Sequence, residues 1–117
     1  MIPPVPRRGG VWVADLNPRQ GTEPGKVRPV VVVQTDALNS YHTSTLICPL
    51  TTKTGRPENL LRVRLSKGEG GVARDSDVML DQMCAMDNGR FRRRMGQIPG
   101  EKMEELRTKL VSLLDLV

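Results

Sequence analysis

Val30 to Val33 are four consecutive valines, closed by Gln34. β-Branched residues lose side-chain freedom in a helix and pack well on a pleated sheet. VVVVQ (30–34) has no polar alternation and so no face to give to water, which predicts a central strand buried on both sides. Arg28 and Pro29 stand directly before the valines, and a glycine-punctuated charged loop lies upstream, in GTEPGKVRPVVVVQTD at 21–36. Pro29 fixes its own φ and biases Arg28 toward an extended conformation, holding the guanidinium more narrowly than a free loop would. A purely structural loop has little use for that; a phosphate-handling site does.

The remaining pattern must cover this strand. VWVADL (11–16) alternates in part and is stopped by Asn17 and Pro18. TLICPL (45–50) reads as another strand, with Pro49 predicting an end, an edge or a bulge. LLRVRL (60–65) alternates cleanly, setting Arg62 and Arg64 opposite Leu61, Val63 and Leu65. DVMLDQM (77–83) and RMGQI (94–98) are further candidates. In EKMEELRTKLVSLLDLV the period changes: Met103, Leu106, Leu110, Leu113, Leu114 and Val117 fall at helical spacing, after Pro99 and Gly100. Short, mostly antiparallel strands with one closing helix describe a mainly β chain with a C-terminal helix, a small barrel or curled sheet. At 117 residues, 1–117 is expected to be a single domain.

Lys and Arg outnumber Asp and Glu by 18 to 13, a net charge of +5 that favours a polyanionic partner, nucleic acid or acidic protein. The excess clusters at Arg7 and Arg8, at Arg62 and Arg64, and at Arg90, Arg92, Arg93 and Arg94; the plain reading of each cluster is a solvated surface. Cys48 and Cys84 lack the number for a disulfide scaffold and the spacing of a zinc ribbon, so they read as core residues in a reducing compartment. MIPPVPRRGG has no apolar run long enough for a signal peptide, and no stretch approaches a membrane span. A cytoplasmic protein without membrane contact is the expectation.

The chemistry must come from few groups. A lone histidine, His42, makes no histidine pair, and no His/Cys/carboxylate cluster has metal-ligand spacing. Asp75, Asp77 and Asp81 read as turn and hydrogen-bonding residues rather than a Mg²⁺ site, so no metal and no cofactor are expected. No nucleotide-binding glycine loop and no serine nucleophile elbow occur. What remains is Glu23 and Arg28 before the valines, with Thr51 and Thr52 after TLICPL. The planar fork of arginine suits a dianionic phosphorane, and Thr51 adds a hydroxyl and a backbone N–H. Asp36 reads as the N-cap of a short helix through Asn39.

The ordered set Gly9, Val11-Trp12, Asp15-Leu16, Asn17-Pro18, Gly21-Thr22-Glu23, Gly25-Lys26-Val27-Arg28-Pro29, then an apolar strand, Gln34, Asp36 and Asn39 resembles the MazF/PemK family of toxin endoribonucleases. It continues through Pro49-Leu50-Thr51, Arg74-Asp75-Ser76, Leu80-Asp81-Gln82, Met86-Asp87 and the final amphipathic helix. Each piece is weak and the ordered set is specific, covering nearly the whole chain. Two departures stand out: Cys84-Ala85 where the family often has Arg-Thr, and Gly10 in place of a frequent acidic residue.

The resemblance implies a small Src-homology-3-like barrel of the MazF/PemK/CcdB plasmid-toxin type, a homodimer, and metal-independent cleavage of single-stranded RNA, including mRNA. It implies Arg28, Thr51 and Glu23 as catalytic residues, Gln34, Thr35, Asn39, Lys53 and Gln82 as RNA-binding residues, and an acidic antitoxin of the MazE type as partner. The expected reaction is attack of the RNA 2′-hydroxyl on the adjacent phosphorus, leaving a 2′,3′-cyclic phosphate and a 5′-hydroxyl. Glu23 is the chemically reasonable base, since arginine at its usual pKa is a poor one. With aromatics at 3% of the chain, extensive base stacking is not expected. Two other classes remain open from the residues: a gyrase-binding toxin of the CcdB type, which implies an aromatic C-terminus where this chain ends Leu116-Val117, and a non-catalytic RNA-binding barrel.

Overall fold

The computed structural model describes residues 5–17, 26–56 and 59–116. Its elements run β1 (Gly10–Asp15), β2 (Val27–Val32), a short α1 (Asp36–Asn39), β3 (Ser44–Thr51), β4 (Arg62–Leu65), β5 (Ser76–Met79), β6 (Cys84–Asp87), β7 (Phe91–Gln97) and α2 (Gly100–Leu113). The strands pair in the order β4-β5-β3-β2-β1-β7, with β6 also on β3, and every pairing is antiparallel. β2 is interior to the sheet, as its valines require. Val31 points into one core with Val11, Cys48, Leu50, Val63 and Leu65, whereas Val30 and Val32 point into another with Trp12, Ala14, Ile47 and Met86. The strand begins earlier than its apolar run, so Arg28 and Pro29 lie within β2 and pair with Ala14 and Val13.

β3 changes partner along its outer edge. Ser44 to Ile47 pair with β6, and Leu50 and Thr51 pair with β5. Pro49 falls between the two ladders while facing Val30 of β2. The irregularity its missing N–H demands is thus a change of partner inside the strand, not the strand's end. Leu60 and Leu61 are exposed and precede β4 rather than forming it.

The first core is closed by α2 and by the 3₁₀ turn Glu69–Gly71. Leu106 is fully buried and Met103 and Leu110 pack beside it. Gly71 has φ +83°, and a Cβ there would sit 2.5 Å from the Met95 carbonyl oxygen, so glycine is what lets this turn lie directly on β7. Lys109 joins α2 to the start of β4, its Nζ donating to the carbonyls of Asn59 (3.2 Å) and Arg62 (2.7 Å). Leu113 and Leu114, at the end of the helical periodicity, are exposed on the single chain. Asp36 also differs from expectation: Thr35 is the N-cap, its side chain accepting from Ala37 N, and Asp36 stands in the first turn. Among the described residues, no helix is long and apolar enough to cross a membrane.

Candidate active site

The register of the sheet assembles one row of polar side chains from four strands. β2 and β3 pair as Val30↔Pro49, Val31↔Cys48 and Val32↔Ile47, and carried onward that register sets Arg28 level with Thr51. Thr51 in turn pairs with Asp77 of β5, and Asp77 with Arg64 of β4. Directly opposed residues of antiparallel strands share a face. Arg28, Thr51, Asp77 and Arg64 therefore stand on one face, at the end of the sheet where β2 begins and β3 ends.

The guanidinium of Arg28 is turned toward β3, with Nη1 donating to the Leu50 carbonyl at 3.0 Å, the carbonyl of the peptide that leads into Thr51. The side chain is partly buried, which pushes its pKa below the ordinary arginine value; a guanidinium nonetheless stays protonated at neutral pH. The threonine hydroxyl oxygen accepts from Lys53 N at 3.1 Å, which leaves its own proton to donate elsewhere. A planar cation and a hydroxyl donor side by side suit charge on phosphoryl oxygens.

Asp77 holds the loop that follows Thr51. It is 1% exposed, and its two carboxylate oxygens meet Arg64 Nε at 2.6 Å and Arg62 Nη1 at 3.3 Å. One of them also accepts from Gly55 N at 2.7 Å. The two arginines continue to the same loop, Arg64 Nη2 donating to Gly55 O (2.7 Å) and Arg62 Nη1 to Lys53 O (3.3 Å). The loop's main chain is thus clasped at Lys53 and Gly55. Asp77 is a hydrogen-bonding residue as its sequence context suggests, but its partners, Arg62 and Arg64, which read as surface, are brought to it only by the β4–β5 register. Asp75 serves elsewhere, accepting from Lys67 N at 2.8 Å, and Asp81 is exposed. Among the described residues, no three His, Cys, Asp or Glu side chains gather as a metal-binding group.

The other candidate residues divide. Glu23 lies outside the described residues. The ends of its loop are pinned nonetheless: Asn17 Oδ1 accepts from Lys26 N at 2.6 Å, and Leu16 N donates to Lys26 O at 2.9 Å. Lys53 is exposed beside Thr51, and Gln82 is half-buried in the 3₁₀ turn after β5. Gln34 and Asn39 are buried and bonded to each other, Gln34 Nε2 donating to Asn39 Oδ1 at 2.9 Å. Asn39 Nδ2 also donates to Asp36 Oδ1, and Gln34 Oε1 accepts from Leu46 N, so the pair fastens α1 to β3. Thr35 caps α1. His42 is at the opposite end of β3 from Thr51, its Nδ1 2.7 Å from Ser44 O.

Residues 7–114 match the family described as the PemK-like, MazF-like toxin of type II toxin-antitoxin systems. The endoribonuclease MazF of Staphylococcus saprophyticus subsp. saprophyticus is 32% identical over 100 residues, covering 86% of this chain and 83% of that protein. The crystal structure of MazF from Deinococcus radiodurans superposes with a TM-score of 0.80 at 30% identity, over 97% of this chain and 99% of the other. A MazE-MazF crystal structure from the same organism matches with a TM-score of 0.79 at 26% identity, over 98% and 100% of the two chains.

Proposed function

The chain belongs to the PemK-like, MazF-like toxins of type II toxin-antitoxin systems and is an endoribonuclease that cleaves single-stranded RNA, and we propose how it cuts. The 2′-hydroxyl of the ribose 5′ to the scissile phosphate attacks phosphorus as its proton leaves to a base. The bond from phosphorus to O5′ breaks, and O5′ gains a proton. The products are a 2′,3′-cyclic phosphate and a 5′-hydroxyl.

The single observation that carries this reading is the juxtaposition of Arg28 and Thr51, with Arg28 Nη1 3.0 Å from the carbonyl of the Leu50–Thr51 peptide. In the pentavalent transition state two equatorial oxygens bear the charge. Arg28 neutralises it with a bidentate fork while Thr51 donates its hydroxyl, so no metal ion is required to supply positive charge. Glu23 is the proposed base, entering from the loop whose ends are fixed by Asn17 and Lys26. Lys53, held at its backbone beside Thr51, contacts a phosphate next to the scissile one, and Gln82 is the proposed base-edge contact. Gln34, Thr35 and Asn39 are proposed to serve RNA binding as well, the buried Gln34–Asn39 pair through its grip on α1 and the exposed Thr35 directly.

The protein is proposed to act as a homodimer of single-domain protomers in the cytoplasm, silenced by an acidic antitoxin of the MazE type. The MazE-MazF complex of the Deinococcus relative and the +5 charge of this chain support that partner. Purified protein incubated with total RNA tests the reading: discrete fragments with 5′-hydroxyl and cyclic phosphate ends are expected. Intact RNA, with the protein bound to gyrase or merely to RNA, would return the chain to one of the two non-catalytic classes.

A further inference from the structure

The chain has one Trp, one Tyr and one Phe, and all three line the same cavity. It is a cleft of about 790 Å³, between the turn leading into β3 and the β6–β7 turn, within the size range of small-ligand sites. Trp12 and Phe91 meet with ring centroids 5.1 Å apart and planes tilted by 57°. Tyr41 stands at the mouth, 71% exposed. The Trp12 indole N–H is buried and has no hydrogen-bond partner among the described residues. Three aromatics scattered at positions 12, 41 and 91 have no reason of sequence to converge; the fold brings them together.

Positive charge adjoins the rings. Arg92 lines the cavity beside Asp87, its guanidinium donating to Gly89 O at 2.8 Å and ion-paired with Asp15 at 3.4 Å, and Arg94, exposed, pairs directly with Trp12 and so shares its face of the sheet. Arg94 has no hydrogen bond or ion pair among the described residues, whereas Arg90 is committed to the carbonyls of Asp15 and Asn17. The same face leads to the cleavage row. Trp12 and Ala14 alternate onto one side of β1, and Ala14 pairs with Arg28. The cavity lies at the Ser44 end of β3 and Arg28 at the Thr51 end, roughly 23 Å apart along the strand.

We propose that this cavity is a second RNA subsite, in which an unpaired nucleobase of the substrate flank stacks on the exposed Tyr41, over the Trp12–Phe91 pair at the cavity wall, while Arg94 holds an adjoining phosphate and Arg92 exchanges its pairing with Asp15 for another. Aromatic platforms next to a basic track are the general solution for single-stranded nucleic acid, because every base has a π-face. The low aromatic content is therefore no argument against stacking: what there is has been concentrated in one place. The inference rests on RNA being the substrate, and it makes length, rather than sequence alone, a determinant of good substrates.

Trp12, as the only tryptophan, reports on its own cavity by fluorescence. The probe is a 2′-O-methyl oligoadenylate, which has no nucleophile and cannot be cut, set against an abasic strand of equal length. Quenching by the base-bearing strand is expected, with affinity lowered about tenfold by Tyr41→Leu and by Arg94→Ala, both exposed positions. On a long RNA the same variants should raise KM and keep kcat. Equal binding of the abasic strand would overturn the proposal. So would a Tyr41→Leu variant with unchanged affinity for the strand and altered sedimentation, which would make the cleft a contact between copies of the chain. Quenching without any cleavage of natural RNA would sink the enzymatic reading and spare the subsite; cleavage without quenching would do the reverse.

Discussion

Arg28 Nη1 sits 3.0 Å from the carbonyl oxygen of Leu50, so the β2 cation is aimed at the peptide that carries Thr51 on β3. A point charge at the same place does not reproduce that fork. Arg28→Lys is therefore expected to lose nearly as much activity as Arg28→Ala, both falling about 10²- to 10³-fold in kcat. Circular dichroism and thermal melts should show both variants folded, because the bond from the charged guanidinium to Leu50 O is worth only about 2 kcal/mol. Near wild-type cleavage by Arg28→Ala would remove Arg28 from the mechanism.

Asp77 offers a separate test of how the site is held. Asp77→Asn keeps the shape and removes, at a nearly sealed position, the charge that the partly exposed Arg62 and Arg64 share. Since both arginines reach solvent, the expected loss of stability is about 2 kcal/mol, below the figure for a fully buried pair. Activity at a temperature where the variant is folded should fall as well, because Gly55 and Lys53 lose their clasp. Unchanged kcat would show that the loop's main chain is positioned without Asp77.

These two residues show what a sequence makes legible. Arg28 was visible because its cause is local: proline beside it and valines after it leave few conformations. Asp77 was not, because its meaning depends on which residue of β4 it faces, and nothing in DVML announces that register. β6 was missed for a similar reason; Cys84–Asp87 is short, has no alternation, and exists because β3 has an edge to offer. The periodicity of α2 matches a helix that runs through Leu113, of which Leu106 is fully buried while Leu113 and Leu114 are exposed on the single chain. The aromatics at 12, 41 and 91 read as thin composition and became a site only through topology.

Asp36 gives the protein an acid-sensitive tie. Its carboxylate accepts from Arg8 N at 2.8 Å and from Asn39 Nδ2 at 2.9 Å, and the backbone bond first, then the side-chain bond, hold its pKa below the usual aspartate value. The folded state then binds fewer protons than the unfolded state around that value. The stabilisation is present above the unfolded pKa and is lost as pH falls through the folded one. Asp36→Asn should flatten the acid limb of a melting-temperature profile and leave its neutral region less stable than wild type. A parallel acid limb in both proteins would assign the sensitivity elsewhere.

An acidic antitoxin is expected to compete with RNA, because a basic face that carries both Arg28 and Arg94 offers one surface to two polyanions. Cleavage assays at rising antitoxin should show KM increasing while kcat is constant until the toxin is saturated. Tight binding of the antitoxin with cleavage unaffected would show that the two do not share this face.

The central claim is that the nucleophile belongs to the RNA and that Arg28 and Thr51 serve the phosphoryl oxygens. The most direct measurement replaces the single ribose 5′ to the scissile phosphate by deoxyribose and follows cutting and binding together, in excess chelator. Cleavage of the all-ribose strand should persist under those conditions, while the deoxy strand should bind almost as well and remain whole, since its phosphate contacts are intact. Cutting at the deoxy position would require an external water nucleophile and would contradict the mechanism.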